Sequence, residues 1–274
     1  MTIKCFTIAT HNDGYLDILK QSCIRNNINL TILGWNEKYN SHSFKTKKTI
    51  QFLKKQKKNQ IVLFIDGFDS IILDSPSIIE NNFKKLNLPH LFSKDLEIYG
   101  IKKIMQDKFT YYNFTNNILF NSLFINMRKC NHEVINTGMF IGYSENLLKI
   151  FIKSLKYRNF LNKRSNQRVF QDMCNDNNRI YIDTNNIIFR NVSKNDKIEF
   201  LKNKVYINGK ASNILSFPNL GNMDSFIKYL KYDISNTKKR SKLYVKFKNR
   251  LSLNSRLLIL LIILICYIIC KNYF

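Results

Sequence analysis

Along the first ninety residues, apolar positions follow two alternating spacings. Lys4 to Ala9 is a short apolar run suited to a buried strand, and Leu30 to Gly34 and Ile61 to Ile65 repeat the pattern. Between these runs the spacing turns helical. Leu16, Leu19 and Cys23 share one face of a segment that Asp13 is placed to cap, and Ile50 and Leu53 lie inward on a basic segment from Lys45 to Lys58. Ser75-Pro76 supplies a cap and a first-turn proline for a third helix carrying Ile78, Ile79, Phe83 and Leu86. Ile61 to Ile65 is wholly apolar, as a strand covered on both faces must be.

Strands alternating with helices predict a three-layer α/β domain with a mostly parallel central sheet, in which ligands bind beyond the carboxyl ends of the strands. Phe92 to Lys129 has no period and is expected to be a loop-rich insertion beside such a site. Val134 to Tyr143 predicts another strand, followed by a helix with Leu147, Leu148, Phe151 and Leu155 inward. Arg179 to Asn191 is strand-like, and Phe226 to Tyr232 predicts a closing helix.

Composition adds a partner class. The chain of 274 residues carries 44 Lys and Arg against 19 Asp and Glu, a net charge of +25, which favours polyanions or phosphate-bearing ligands. Lys238, Lys239, Arg240, Lys242, Lys246, Lys248, Arg250 and Arg256 form a run without an acidic residue, directly before the apolar stretch Leu257 to Cys270. That order predicts a polybasic linker at 236–256 on an anionic lipid surface and a hydrophobic membrane-anchoring helix at 257–274, behind a domain at 1–235. The apolar stretch falls short of the ~20 residues that span a bilayer, so a single-pass C-terminal anchor relies on snorkelling of Lys271. The basic flank places the domain on the cytoplasmic side by the positive-inside rule, with a lumenal placement as the alternative. A nucleic-acid arm is the disfavoured reading of the same charge. Six cysteines without CxxC spacing indicate neither a zinc site nor a disulfide framework. His90 and His132 sit in no metal spacing and are expected to be structural or surface residues.

The chemistry concentrates where the third strand ends. Asp66 and Asp69 follow Ile65 directly, and two carboxylates three apart at a strand end can hold a hard divalent cation against a diphosphate. A solvated turn capped by Asp69 is the competing reading.

The string Leu-Phe-Ile-Asp-Gly-Phe-Asp-Ser-Ile-Ile-Leu-Asp-Ser-Pro, Leu63 to Pro76, resembles the metal-binding segment in the glycosyltransferase domain of procollagen lysyl hydroxylases and collagen galactosyltransferases. Further resemblances follow in order. Thr7-Ile8-Ala9-Thr10 looks like the family's first strand, and Leu33 to Tyr39 resembles its segment ending in an aromatic stacked on uracil. Asn136-Thr137-Gly138-Met139-Phe140-Ile141-Gly142-Tyr143 and Tyr181 to Asn191 are similar to two later strands.

The resemblance implies a GT-A type nucleotide-sugar-binding fold, a UDP-sugar donor, and manganese or another divalent cation. It implies metal ligation by Asp66 and Asp69, uridine contacts from Thr7, Tyr39, Phe68 and Asp66, and sugar or acceptor contacts from Asn136, Asn166 and Gln167. Thr7 ending a strand, Phe68 in the core and Asn136 capping a turn are the alternatives. Two departures stand out. Ser165-Asn166 replaces an acidic pair before Gln167, leaving Asp172 and Asp183 as the nearest alternative carboxylates, and Asp183 is expected to order a turn. The late metal-binding histidine falls within Ser216 to Asn222, where the chain has none. The implied activity is hexose transfer, galactose or glucose, to a hydroxyl on protein or glycan, including hydroxylysine of a collagen-like protein. A catalytically impaired UDP-sugar-binding membrane protein, or a basic polyanion-binding protein, is the alternative.

Overall fold

The structure is a computed structural model that describes residues 3–96, 133–157, 166–175, 179–193, 195–201, 204–218 and 223–235. The expected linker, the expected anchor and most of the expected 92–129 insertion lie outside these residues. Among the described residues no helix is long and apolar enough to cross a membrane.

Six strands form the central sheet: β1 (Lys4–Ile8), β2 (Leu30–Leu33), β3 (Ile61–Ile65), β5 (His90–Lys94), β6 (Ile135–Tyr143) and β7 (Ile182–Asp183). Their spatial order is β2-β1-β3-β6-β5-β7. Every strand runs one way except β6, which pairs antiparallel with both β3 and β5. The sheet is therefore mostly parallel, with one reversed strand at its centre.

Alternation along the strands divides the core in two. Phe6, Val62, Phe64 and Phe140 face α2 (His42–Lys54), α4 (Ser144–Ser154) and α5 (Asn166–Asn175), meeting Leu53, Phe151 and Phe170. The phenyl rings of Phe64 and Phe140 stack at 4.8 Å, and Phe151 lies 5.0 Å from both Phe140 and Phe170. Cys5, Leu63, Ile65 and Ile141 face α1 (Leu16–Arg25) and α3 (Pro76–Lys85), meeting Leu19, Cys23, Ile79 and Phe83. Each buried aromatic or branched side chain contributes about 1.5–3 kcal/mol of transfer free energy, so both faces favour one register.

A smaller sheet joins β4 (Ser70–Ile72), β12 (Ile214–Ser216) and β8 (Phe189–Asn191). A meander of β9 (Ile198–Leu201), β10 (Lys204–Ile207) and β11 (Lys210–Ala211) packs with α6 (Asp224–Tyr229), where Phe200 stacks on Tyr229 at 3.9 Å.

Several local expectations are corrected. Asp13 does not cap α1. Gly14 adopts φ +56° there, its N–H donates to the Asp13 carboxylate, and Tyr15 becomes the cap residue. The second helix begins at His42 and ends at Lys54, earlier at both ends than the apolar pair alone indicated. Ile78 is exposed because it lies off the face that Ile79 and Phe83 bury, and Leu155 because the helix ends at Ser154 and Leu155 opens a short 3-10 turn. The stretch from Phe92 is not all loop, since His90–Lys94 forms β5 between β6 and β7. Arg179 to Asn191 is two short strands rather than one, divided at Asp183, whose carboxylate accepts the backbone N–H groups of Ile187, Ile188 and Phe189 at 3.0, 2.8 and 2.8 Å. Cys174 is disulfide-bonded although the spacing of the cysteines predicted none, while Cys5 and Cys23 are free and buried.

Candidate functional site

The chain leaves β3 at Ile65 and turns sharply, and the next residues enter a cleft at the carboxyl end of the sheet. The Asp66 N–H donates to the Gly138 carbonyl at 2.7 Å, extending the β3–β6 pairing one step past the strand and fixing where the Asp66 side chain starts. Asp69 is held from the other side. Its carbonyl accepts the Phe217 N–H at 2.7 Å, directly after β12.

A bulge in β6 supplies the opposite wall. Pairing with β5 jumps from Phe92↔Phe140 to Ser93↔Asn136, so Thr137, Gly138 and Met139 have no partner on that strand. Bulges re-aim side chains where a strand must serve a site. Here Asn136 folds back to accept the Gly138 N–H at 2.7 Å. A Cβ at Gly138 would stand 2.9 Å from that amide oxygen, so only glycine permits the fold-back without displacement.

The result is a cavity of about 220 Å³ lined by Asp66, Asp69, Asn136, Asn166, Gln167 and Ser216, with His42 and Lys45 from α2 at its side. Five residues singled out by sequence thus converge from three separate parts of the chain. Asn166 accepts a hydrogen bond from the buried Thr46 hydroxyl at 3.1 Å, which ties α5 to α2 at the rim.

The electrostatics are uneven. Lys45 Nζ meets Asp66 at 3.0 Å, and although burial opposes its charge, Asp66 and then Tyr39 and Asp69 hold its pKa above the ordinary value. Among the described residues Asp69 has two hydroxyl donors, Ser70 and Ser216, both at 3.3 Å. Burial first, and then the Asp66 charge, push the Asp69 carboxyl up to about 7 against the opposing pull of Lys45. Of the pair, Asp66 holds the ion pair with Lys45, and Asp69 keeps the raised pKa.

The other expected contacts lie apart from the cavity. Thr7 is fully buried beneath the strand end, so it does not line the open space. Phe68 is half-buried with its ring 6.1 Å from that of His11, and its carbonyl accepts the Tyr15 N–H. Tyr39 is exposed and shares a 3.2 Å hydrogen bond with His42, whose own side chain lines the cavity. Asp172 and Asp183 do not line it. No group of three His, Cys, Asp or Glu residues able to hold a metal occurs among the described residues. His90 is buried in the core, where burial lowers its imidazole to about 4.

Sequence reasoning missed Lys45 and Asp95. Lys45 reads as one of many lysines on a basic helix, and only the three-dimensional approach of α2 to the β3 turn distinguishes it. Asp95 accepts from Asn136 at 3.0 Å and from Gln167 at 2.6 Å, partners 41 and 72 residues away.

Paired carboxylates and convergent amides beyond a central strand of an α/β sheet form the ligand-binding cleft that such sheets place there. The chain belongs to the PLOD GT domain family, whose model matches residues 1–236, and it is a glycosyltransferase. No curated protein matches the sequence. Among solved structures, a glycosyltransferase involved in the glycosylation of the major capsid of PBCV-1 is 9% identical with a TM-score of 0.46, covering 84% of this chain and 99% of that one. A197 from STIV is 14% identical with a TM-score of 0.26, covering 35% of this chain and 47% of that one. Both likenesses are distant, and the family assignment stands on the match over 1–236.

Proposed function

We propose that the chain moves a hexose, galactose or glucose, from a UDP-sugar to a hydroxyl acceptor with the help of a divalent cation such as manganese, on a sheet of the GT-A type. The observation that carries this reading is the crowding of Asp66 and Asp69 in one cavity, with Asp69 pushed up to about 7 by its enclosure and by the Asp66 charge.

The residues present fit a hard cation. The Asp66 and Asp69 carboxylates and the Ser216 hydroxyl, 3.3 Å from Asp69, form an all-oxygen set of the kind manganese or magnesium accepts. Ser216 lies in the segment where the family resemblance places a histidine, so a weaker oxygen donor stands in that region. A bound cation would offset the charge of a departing diphosphate. Lys45 supplies a second positive group on the same side, suited to a phosphate oxygen. Tyr39 at the rim is suited to stacking on uracil. Asn136, Asn166 and Gln167 face the side where a sugar would lie.

In the transfer, the acceptor oxygen bonds to the anomeric carbon as the bond from that carbon to the diphosphate breaks. The electron pair leaves with UDP, and the hydroxyl proton passes to the departing phosphate oxygen or to water. Positioning and electrostatics can carry such a step without a protein nucleophile. The family resemblance extends the acceptor to hydroxylysine of a collagen-like protein.

The test is manganese-dependent UDP release from a panel of UDP-hexoses, with and without hydroxyl acceptors. Turnover that Asp69→Ala abolishes supports the reading. Tight UDP binding with no turnover supports instead a catalytically impaired donor-binding protein. The placement of the domain is a separate proposal. The disulfide at Cys174 favours an oxidising compartment, opposite to the side the charge rule gives, and protease protection in membranes separates the two.

A further inference from the structure

The acidic pair that the resemblance leads one to expect before Gln167 is absent, yet a carboxylate still reaches that place from another element. Asp95 follows β5 directly, and its backbone N–H is anchored to the Val134 carbonyl at 2.8 Å. One carboxylate oxygen accepts the Asn136 amide at 3.0 Å and the Leu96 N–H at 2.9 Å, and the other accepts the Gln167 amide at 2.6 Å. Asn136 and Gln167 both line the donor cavity.

We propose that Asp95 is a positioning residue for glycosyl transfer, fixing the Asn136 and Gln167 amides against the transferred sugar and supplying the negative charge missing at Asn166. This rests on the donor-site reading above. Asn136 is fixed at both ends, one N–H donating to Asp95 and its oxygen accepting from Gly138 at 2.7 Å, which leaves its second N–H for a sugar hydroxyl, and the Gly138 carbonyl in turn accepts the Asp66 N–H at 2.7 Å. An unbroken chain of hydrogen bonds therefore joins α5, through Asp95 and β6, to the aspartate at the end of β3.

Gln167 has a different part. With an N–H committed to Asp95, its amide oxygen is the acceptor it retains for a sugar hydroxyl. A carboxylate behind oriented amides also stabilises positive character at the anomeric carbon, as carboxylates do in glycoside hydrolysis. The ligand class is the hexose of a sugar nucleotide, and the effect belongs to the transition state more than to donor binding.

The experiment measures UDP release from UDP-glucose and UDP-galactose for the wild-type chain, Asp95→Asn, Gln167→Glu and the double variant, with melting temperatures and UDP affinity for each. Asp95→Asn keeps the shape but sets amide donors against each other, so kcat falls about tenfold or more while KM for the donor stays within about threefold. Gln167→Glu alone opposes two carboxylates and also loses turnover. In the double variant the new amide donates to the new carboxylate and still accepts from Asn136, so kcat recovers. Asp95→Asn turnover within about twofold of wild type, or a double variant no faster than the singles at unchanged melting temperature, overturns the inference alone. A wild-type chain that turns over no UDP-sugar overturns the donor reading and this inference with it.

Discussion

Two carboxylates stand at the ends of strands of the same sheet, Asp183 buried and Asp69 partly exposed, and their surroundings differ. Asp183, at the end of β7, is 3% exposed and has its oxygens filled by three backbone N–H groups. Asp69, in the turn after β3, meets two hydroxyls at 3.3 Å among the described residues and shares an open cavity with a second carboxylate, Asp66. Burial raises both acids, but at Asp183 the backbone N–H groups work against it, whereas at Asp69 the Asp66 charge adds to it. A buried carboxylate with its hydrogen bonds complete is architecture, whereas the sparsely bonded Asp69 suits the cation ligand proposed above.

The comparison breaks most visibly at Asp183. Asp183→Ala strands three buried N–H groups, and a loss of about 4 kcal/mol, read as a melting point lower by roughly 10 °C, is the expected result. UDP affinity of the molecules that remain folded should not change.

Acid tests the same contrast with a base. Burial lowers His90 to about 4 from an ordinary 6.5, so the folded state resists its protonation. Its contribution to stability is present above about 6.5 and is lost as pH falls through about 4, roughly 3 kcal/mol in full. Chemical denaturation of His90→Phe across that range should show a flatter acid limb than wild type.

At Asp69 the sign reverses. Its raised pKa means that ionisation in the fold is unfavourable, so stability falls as pH rises from the ordinary carboxylate range through about 7. In metal-free protein at pH ~8, Asp69→Asn should gain about 1–3 kcal/mol while abolishing turnover, and near pH ~4 the gain should vanish. A loss of stability at both pH values would place Asp69 with Asp183. The smallest effect belongs to Ser216→Ala, which removes one weak donor and should loosen manganese by about 1 kcal/mol in a calorimetric titration.

Much of this contrast could be read along the chain. The strands ending at Ile8 and Ile65, the inward faces of α1 and α2, and Asp66 with Asp69 at a strand end all follow from local spacing. So does the role of Asp183 in ordering a turn. What was not legible depends on distant partners. β5 is five residues long, includes buried His90 and Ser93, and exists because β6 and β7 pair with it on either side. The donors on Asp69 include Ser216, 147 residues later. Asp13 looked like a helix cap until the positive φ of Gly14 turned the chain away. Tyr39, Thr7 and Phe68 were named by resemblance, and the structure puts Tyr39 beside the cavity but buries Thr7 beneath it.

Calorimetric titration of UDP into wild type and Asp69→Asn, each with and without manganese, decides whether the end of β3 is a metal-assisted diphosphate site. Manganese should strengthen UDP binding to wild type and add nothing in Asp69→Asn. Equal UDP affinity with and without manganese, unchanged by Asp69→Asn, would contradict it and leave Lys45 as the phosphate-binding group.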